Sequence, residues 1–274
     1  MNKKVIAIIV FTAVVILFFS FALKNFTSAR STRIISAIDL QNRNSLLALT
    51  KSYKEKGDYK RAKNAFSEFI EKFPGSKDAK KAQKEIEDLN IKILFSAVAT
   101  GDSFVYEIKP GDTLGGVASK YSTTVELIKK ANGLKTETIF PGQSLKINKA
   151  KFNILVDKSD NILVLKKSDG EIIKTYLVST GENLNTPVGT FKIEEKLVSP
   201  VWYKVGAVVS PDSSEYELGT RWMGLSAEGY GIHGTRDESS IGQHITKGCV
   251  RMMNKEVEEL YTIVPSGTEV VIVE

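Results

Sequence analysis

Cysteine is all but absent from this chain: Cys249 is the single thiol among 274 residues, so no intramolecular disulfide can form in any compartment. Histidine is nearly as scarce, with only His233 and His244. A zinc site built from these two and Cys249 would need a fourth ligand at unusual spacing, and neither a metal nor any other cofactor is expected. An arginine-rich block is missing too. Lysine and arginine exceed aspartate and glutamate by 38 − 32 = 6. The bases are scattered among acids, which argues against nucleic acid as a partner and favours anionic surroundings such as phospholipid headgroups or wall polymers. An apolar share of 42% supplies packed cores and argues against disorder throughout.

What is present begins with an apolar run, Val5 to Leu23, interrupted by Thr12 and Ser20 and preceded by Lys3-Lys4. As a helix rising about 1.5 Å per residue it would cover about 28 Å, close to the roughly 30 Å of a bilayer's hydrocarbon. Residues 1–24 therefore read as a membrane anchor, with cleavage after the small-x-small stretch Ser20-Phe21-Ala22 as the competing reading. Either way the remainder is expected outside the cytoplasmic membrane, single-pass if anchored, in the periplasm or the wall space.

Residues 36–97 read as helical. Ala62, Phe66, Phe69 and Phe73 form one apolar stripe, and Ala79, Ala82, Ile86, Leu89 and Ile93 another, with Gly57-Asp58 and Pro74-Gly75-Ser76 as punctuation. The run Gly57-Asp58-Tyr59, Ala62, Ala65-Phe66, Phe73-Pro74 resembles little more than one tetratricopeptide-like repeat. One repeat cannot bury its own face, so the region packs as a short helical hairpin, takes a protein partner, or serves as a spacer.

Residues 104–149 give the order βααβ: alternation over Phe104 to Ile108, helical patterns from Leu114 to Tyr121 and from Val125 to Ala131 ending at Gly133, and a closing strand from Ser144. Tyr106-Glu107-Ile108-Lys109-Pro110-Gly111-Asp112-Thr113-Leu114 and Ile139-Phe140-Pro141-Gly142-Gln143 resemble a LysM domain. That resemblance implies binding to the glycan of peptidoglycan through Gly111, Asp112, Thr113, Leu114, Pro141 and Gly142. Gly115-Gly116 departs from a good helix and should loosen the first one by up to about 1 kcal/mol per glycine.

From 151 to 274 short alternating runs (Ile154 to Val156, Ile162 to Leu165, Thr175 to Ser179, Thr190 to Ile193, Val270 to Val273) lie between turn residues, and Lys255 to Val264 is the one helix signal. The natural reading is a mainly-β sandwich. Within it Gly231-Ile232-His233-Gly234-Thr235 sets a histidine at a strand end, and Gly248 before Cys249 admits a substrate carbonyl close to the backbone. A thiol with an ordinary pKa is mostly protonated at neutral pH. An imidazole that removes its proton and later returns one to a leaving amine suits acyl transfer, with backbone N–H groups receiving the oxyanion.

Ile232-His233-Gly234-Thr235, Ser240-Ile241-Gly242 and Thr246-Lys247-Gly248-Cys249-Val250-Arg251-Met252, supported by Thr186-Pro187-Val188-Gly189-Thr190, resemble the L,D-transpeptidase (YkuD) catalytic domain. The resemblance implies a cysteine acyl-enzyme formed on peptidoglycan stem peptides. Cys249 is then the nucleophile, His233 the base, Gly234 the third member through its backbone, and Gly248 part of the oxyanion frame. Lys247 stands where many members carry a second histidine. Arg251, Trp222 and Thr246 are candidate substrate contacts, with Tyr203 a candidate groove wall and His244 the fallback base. A catalytically inactive LysM wall-binding scaffold is the rival from another class; a sortase would need a Thr-Leu-x-Thr-Cys strand end that this chain lacks.

Overall fold

A computed structural model describes residues 39–204 and 207–274. The expected anchor lies outside the described residues, and among those described no helix is long and apolar enough to cross a membrane. Two compact units divide the chain between Gln83 and Lys84.

The first unit is helical. Helix α1 covers 39–55 and α2 covers Tyr59–Lys72, joined through Gly57 at φ 72°. Asp58 caps α2 by accepting the Arg61 N–H at 3.2 Å, and the periodic residues Ala62, Ala65, Phe66 and Phe69 are its buried stripe. Helix α3, Ala79–Leu94, runs across the boundary between the units.

After the end of α3 the second unit continues with β1 (Ser103–Glu107), α4 (Leu114–Lys120), α5 (Val125–Asn132) and β2 (Ser144–Asn148), the βααβ order of the sequence. Strands β1 and β2 pair antiparallel from Ser103↔Asn148 to Glu107↔Ser144. Threonines begin both helices: Thr113 accepts the Gly116 N–H at 3.0 Å and Thr124 that of Leu127 at 2.9 Å. Gly133, at φ 66°, ends α5 in the left-handed conformation that a residue without Cβ adopts freely.

The remaining strands are β3 (Phe152–Asp157), β4 (Ile162–Lys167), β5 (Ile172–Leu177), β6 (Thr180–Gly181), β7 (Gly189–Val198), β8 (Trp202–Lys204), β9 (Ala207–Val209), β10 (Arg221–Leu225), β11 (Gly231–His233), β12 (His244–Thr246), β13 (Val250–Arg251) and β14 (Glu269–Val273), with α6 (Asn254–Ile263) before the last. Eight of them form one mixed sheet in the order β13-β11-β10-β7-β14-β3-β4-β5, while β6–β12 and β8–β9 are small separate pairs. The region is mainly β, as the alternation predicts, but it is not two stacked sheets. The amphipathic helix α6 buries Val257, Leu260, Tyr261 and Ile263 and supplies the apolar cover that a second sheet would have given.

The core of this sheet draws on more than its own strands. Leu127 of α5 and Ile91 and Leu94 of α3 belong to the same buried cluster as Ile154, Leu165 and Val257. Polar contacts fix the same junction. Asn90 donates to the Ile173 carbonyl at 3.0 Å and Glu87 accepts the Thr175 N–H at 3.3 Å, so α3 covers the exposed edge of β5. Lys146 of β2 donates to the carbonyls of Ile93 (2.8 Å) and Ser96 (2.7 Å), satisfying the end of α3, and burial lowers its pKa to about 8.

The two glycines of α4 differ in a testable way. A Cβ at Gly115 meets nothing within 4 Å, whereas at Gly116 it would sit 3.2 Å from the capping Thr113 hydroxyl. Gly115→Ala should stabilise the helix by about 0.5–1 kcal/mol and raise the thermal midpoint by about 1–3 °C, and Gly116→Ala should gain less or lose. Scanning calorimetry of both variants checks the order.

Candidate active site

The site is made by strand register at one end of the eight-stranded sheet. Trp222 of β10 lies opposite His233 of β11, and His233 lies opposite Arg251 of β13. Side chains alternate along a strand, so these three share one face while Ile232 and Val250, also register partners, turn into the core. Cys249, two residues before Arg251, returns to the face that carries His233.

His233 is 3% exposed, and its Nδ1 lies 2.7 Å from the Gly234 carbonyl. A carbonyl can only accept, so the neutral ring carries its proton on Nδ1 and leaves the Nε2 lone pair free. The Trp222 indole backs the imidazole in a stacked arrangement, with centroids 5.9 Å apart and planes at 24°. Burial lowers the His233 pKa to about 4; the Gly234 bond opposes that shift and the Arg251 charge adds to it. The ring is therefore an unprotonated acceptor at neutral pH.

Cys249 is half-buried, with Sγ 3.8 Å from the Gly229 carbonyl. Burial pushes its thiol above the ordinary value of 9.0, opposed by the Gly231 N–H and the Arg251 charge. Thr246 braces the turn before it: its hydroxyl donates to the Cys249 carbonyl at 2.6 Å and accepts the Gly248 N–H at 3.1 Å. With that N–H engaged, the backbone N–H of Cys249 is the donor of this turn best suited to an oxyanion. Gly248 takes φ 129°, and a Cβ there would stand 2.5 Å from the Tyr230 ring, so nothing larger fits.

A cavity of about 730 Å³ gathers Trp222, His233, Thr246, Lys247, Cys249 and Arg251. A second, of about 560 Å³, shares Thr246, Lys247, Glu217 and Arg251 with the first and adds charged residues including Glu182, Arg236 and Asp237. Arg251 pairs with Glu217 at 3.3 Å, while its Nε is buried with no hydrogen-bond partner among the described residues. The Tyr203 side chain lies outside the described residues.

His244 is occupied elsewhere. Its Nδ1 is 2.8 Å from the Thr180 hydroxyl and its Nε2 3.2 Å from the Asn161 amide, and Thr180 donates to Asn161 at 2.9 Å. That closed set of three bonds leaves the ring no free lone pair for a thiol. Among the described residues no cluster of three or more His, Cys, Asp or Glu side chains could hold a metal.

The glycan-site candidates form a separate group. Gly111 (φ 88°) and Gly142 (φ 84°) turn the chain, and Gly142 donates to the Ile108 carbonyl at 2.8 Å, bringing the loop containing Pro141 beside the end of β1. Asp112 accepts the Lys109 N–H at 2.8 Å and the Tyr106 hydroxyl at 2.9 Å, which hold its carboxyl below the usual range. Leu114 is buried at 2% and Thr113 is committed to its cap, so these two shape the loop from within. Phe140, 66% exposed, is the large apolar side chain the same loop offers to solvent.

The L,D-transpeptidase catalytic-domain model matches residues 151–272, and the LysM model matches residues 106–148. The chain is 36% identical over 174 residues to the protein named L,D-transpeptidase YkuD in Bacillus licheniformis, covering 61% of this chain and 96% of that one. Its counterpart in Bacillus subtilis is 34% identical over 174 residues, covering 61% and 97%. The protein named L,D-transpeptidase YqjB in Bacillus subtilis is 37% identical over 125 residues, covering 43% and 69%.

Burial drives the two pKa values apart in the sense that leaves the proton on sulfur. The rate of Cys249 alkylation by iodoacetamide should therefore climb through pH 9 and beyond with no plateau near neutrality; an inflection below pH 7 would reveal a preformed thiolate. His233 also predicts a pH dependence of stability. Between pH 6.5 and 4 the unfolded chain binds a proton that the folded chain refuses, so stability should fall by up to about 3 kcal/mol as pH drops through that window and level off below it. Urea unfolding of the parent and of His233→Gln should show the slope in the first and its loss in the second.

Proposed function

The chain belongs to the L,D-transpeptidase family, and from that premise we propose that it transfers peptidoglycan stem peptides through a thioester on Cys249. The donor tetrapeptide lies in the larger cavity with the carbonyl before its terminal D-alanine at the sulfur. His233 Nε2 takes the thiol proton as sulfur attacks, and the Cys249 N–H faces the oxyanion. Collapse of the tetrahedral adduct breaks the C–N bond, and the proton passes from His233 to the leaving D-alanine amine. An acceptor amine entering from the side of the second cavity gives its proton to His233 as it attacks the thioester, and the thiol is regenerated.

The observation that carries this reading is the shared face of His233 and Cys249 over one cavity, with His233 held in the tautomer that leaves Nε2 free. Arg251 supports it: a substrate carboxylate would displace the exposed Glu217 and find the unpartnered Nε behind it.

The LysM unit binds the glycan through its paired Pro-Gly loops and keeps the catalytic domain on its polymer. The apolar segment 5–23 anchors the chain in the cytoplasmic membrane with the later domains outside, and the tetratricopeptide-like helices receive a protein partner. The intact His–Cys arrangement speaks against an inactive scaffold.

Incubation with tetrapeptide stems should release D-alanine. Cys249→Ala should abolish the release and His233→Gln should slow it by about 10²- to 10⁴-fold, the usual contribution of a general base. Undiminished release by the cysteine variant would overturn the assignment. Sedimentation with isolated sacculi tests glycan binding by itself and should weaken in Phe140→Ala.

A further inference from the structure

The Gly234 carbonyl decides which nitrogen of His233 carries the proton, yet a carbonyl one residue away reaches Nδ1 only if the Gly234 peptide is turned correctly. The Gly234 N–H, on the preceding His233–Gly234 peptide, is shared between the carbonyls of Leu218 (3.1 Å) and Arg221 (3.2 Å), and the Gly234–Thr235 peptide that bears the carbonyl packs against Gly219, where a Cβ would fall 2.6 Å from the Thr235 nitrogen. Asn254 closes this arrangement. Its Oδ1 accepts the Thr220 N–H at 2.9 Å, and because a backbone N–H can only donate, the amide end facing it is the oxygen.

The two glycines around that oxygen show how closely it is seated. A Cβ built on Gly219 would fall 2.3 Å from Asn254 Oδ1 and 2.4 Å from the Gly234 carbonyl carbon; one built on Gly234 would fall 2.3 Å from the same oxygen. The amide thus occupies the space that side chains at both positions would take. It is also free of the usual duty of an asparagine at a helix start. Asn254 is the first residue of α6, its predecessor Met253 is the N-cap, and no side chain caps the helix there.

We propose that Asn254 is a positioning residue for His233: its amide oxygen, seated between Gly219 and Gly234, holds the Gly234 peptide so that its carbonyl meets Nδ1 and the Nε2 lone pair is left for the thiol. The use of that lone pair as the base rests on the function proposed above; the location of the ring proton does not.

The test uses the full chain in detergent with ¹⁵N-labelled histidine. Only His233 and His244 contribute, and His244→Gln assigns the spectrum. The parent should show one protonated-type and one lone-pair-type nitrogen for His233. In Asn254→Ala the two should move toward averaged values, and kcat for D-alanine release should fall by about 10- to 100-fold with little change in KM, as for a base displaced by a fraction of an ångström. Asn254→Asp keeps an oxygen at the wedge: it should retain the single tautomer and move the acid limb of the pH–rate profile upward, because a carboxylate there favours imidazolium. A single Nδ1–H tautomer in Asn254→Ala overturns the proposal. If that variant does not fold, mixed tautomers in Asn254→Asp overturn it. Absence of D-alanine release from the parent would sink the proposed activity while leaving the nitrogen spectra to decide the role of Asn254.

Discussion

The site depends on one short piece of hydrogen bonding, the parallel pairing of β11 with β13. Only two register pairs define it, Ile232↔Val250 and His233↔Arg251, and Met252 extends it by donating to the His233 carbonyl at 2.8 Å. Because side chains alternate, this pairing alone decides that Ile232 and Val250 enter the core and that His233, Cys249 and Arg251 face the cavity; a slip of one residue would exchange the two sets. The other edge of β13 is secured by reciprocal bonds between Ser179 and Arg251 at 2.8 Å each way, so the strand that follows Cys249 is held on both sides. Two residues are a small basis for register. The apolar pair Ile232 and Val250, both essentially inaccessible, makes the alternative costly.

The electrostatics then fit a lone thiol that must remain usable. Burial raises the Cys249 pKa and lowers that of His233, so the resting pair is neutral rather than an ion pair. Thiolate is the species that both attacks a carbonyl and reacts with oxidants. With no second cysteine to form a protective disulfide, a sulfur that stays protonated until a substrate occupies the cavity is less exposed to irreversible oxidation. In the mechanism proposed above, proton transfer to Nε2 would then generate the nucleophile only as it is used.

Much of the fold was legible because it is local. Strand alternation and the helical periods gave the βααβ unit, and Thr113, Thr124 and Gly133 sit where capping chemistry wants them. The β texture after residue 151 was equally plain, but its architecture was not: alternation names a buried face without saying what covers it, and here α6 does so. The apolar spacing along α3 predicts one buried face, yet Ile91 and Leu94 are buried as well and Asn90 bonds to β5, because the end of that helix is enclosed by the sheet edge. In the site, His233 and Cys249 stood out by scarcity and flanking glycines. The stacking of Trp222 on His233, the engagement of His244 and the seat of Asn254 did not, since they depend in turn on the register of β10 with β11, on the pairing of β12 with β6, and on how the start of α6 meets Gly219 and Gly234.

The junction between the LysM unit and the catalytic sheet alters what a binding module can do for the enzyme beside it. A flexible linker raises the local concentration of substrate while leaving its orientation free. In this chain the LysM helix α5 lends Leu127 to the catalytic core, and the Thr124 hydroxyl donates to the Thr262 carbonyl at the end of α6. Lys146 of the closing LysM strand caps α3, which in turn covers β5. These contacts bury apolar surface and leave few polar groups unmet, so separating the two parts would open a core and strip a helix end at once. Under the function proposed above, glycan held by the Pro-Gly loops would be presented at a fixed orientation to the sheet, so that the geometry of the polymer, together with the affinity of the cavity, would select which stem reaches the sulfur.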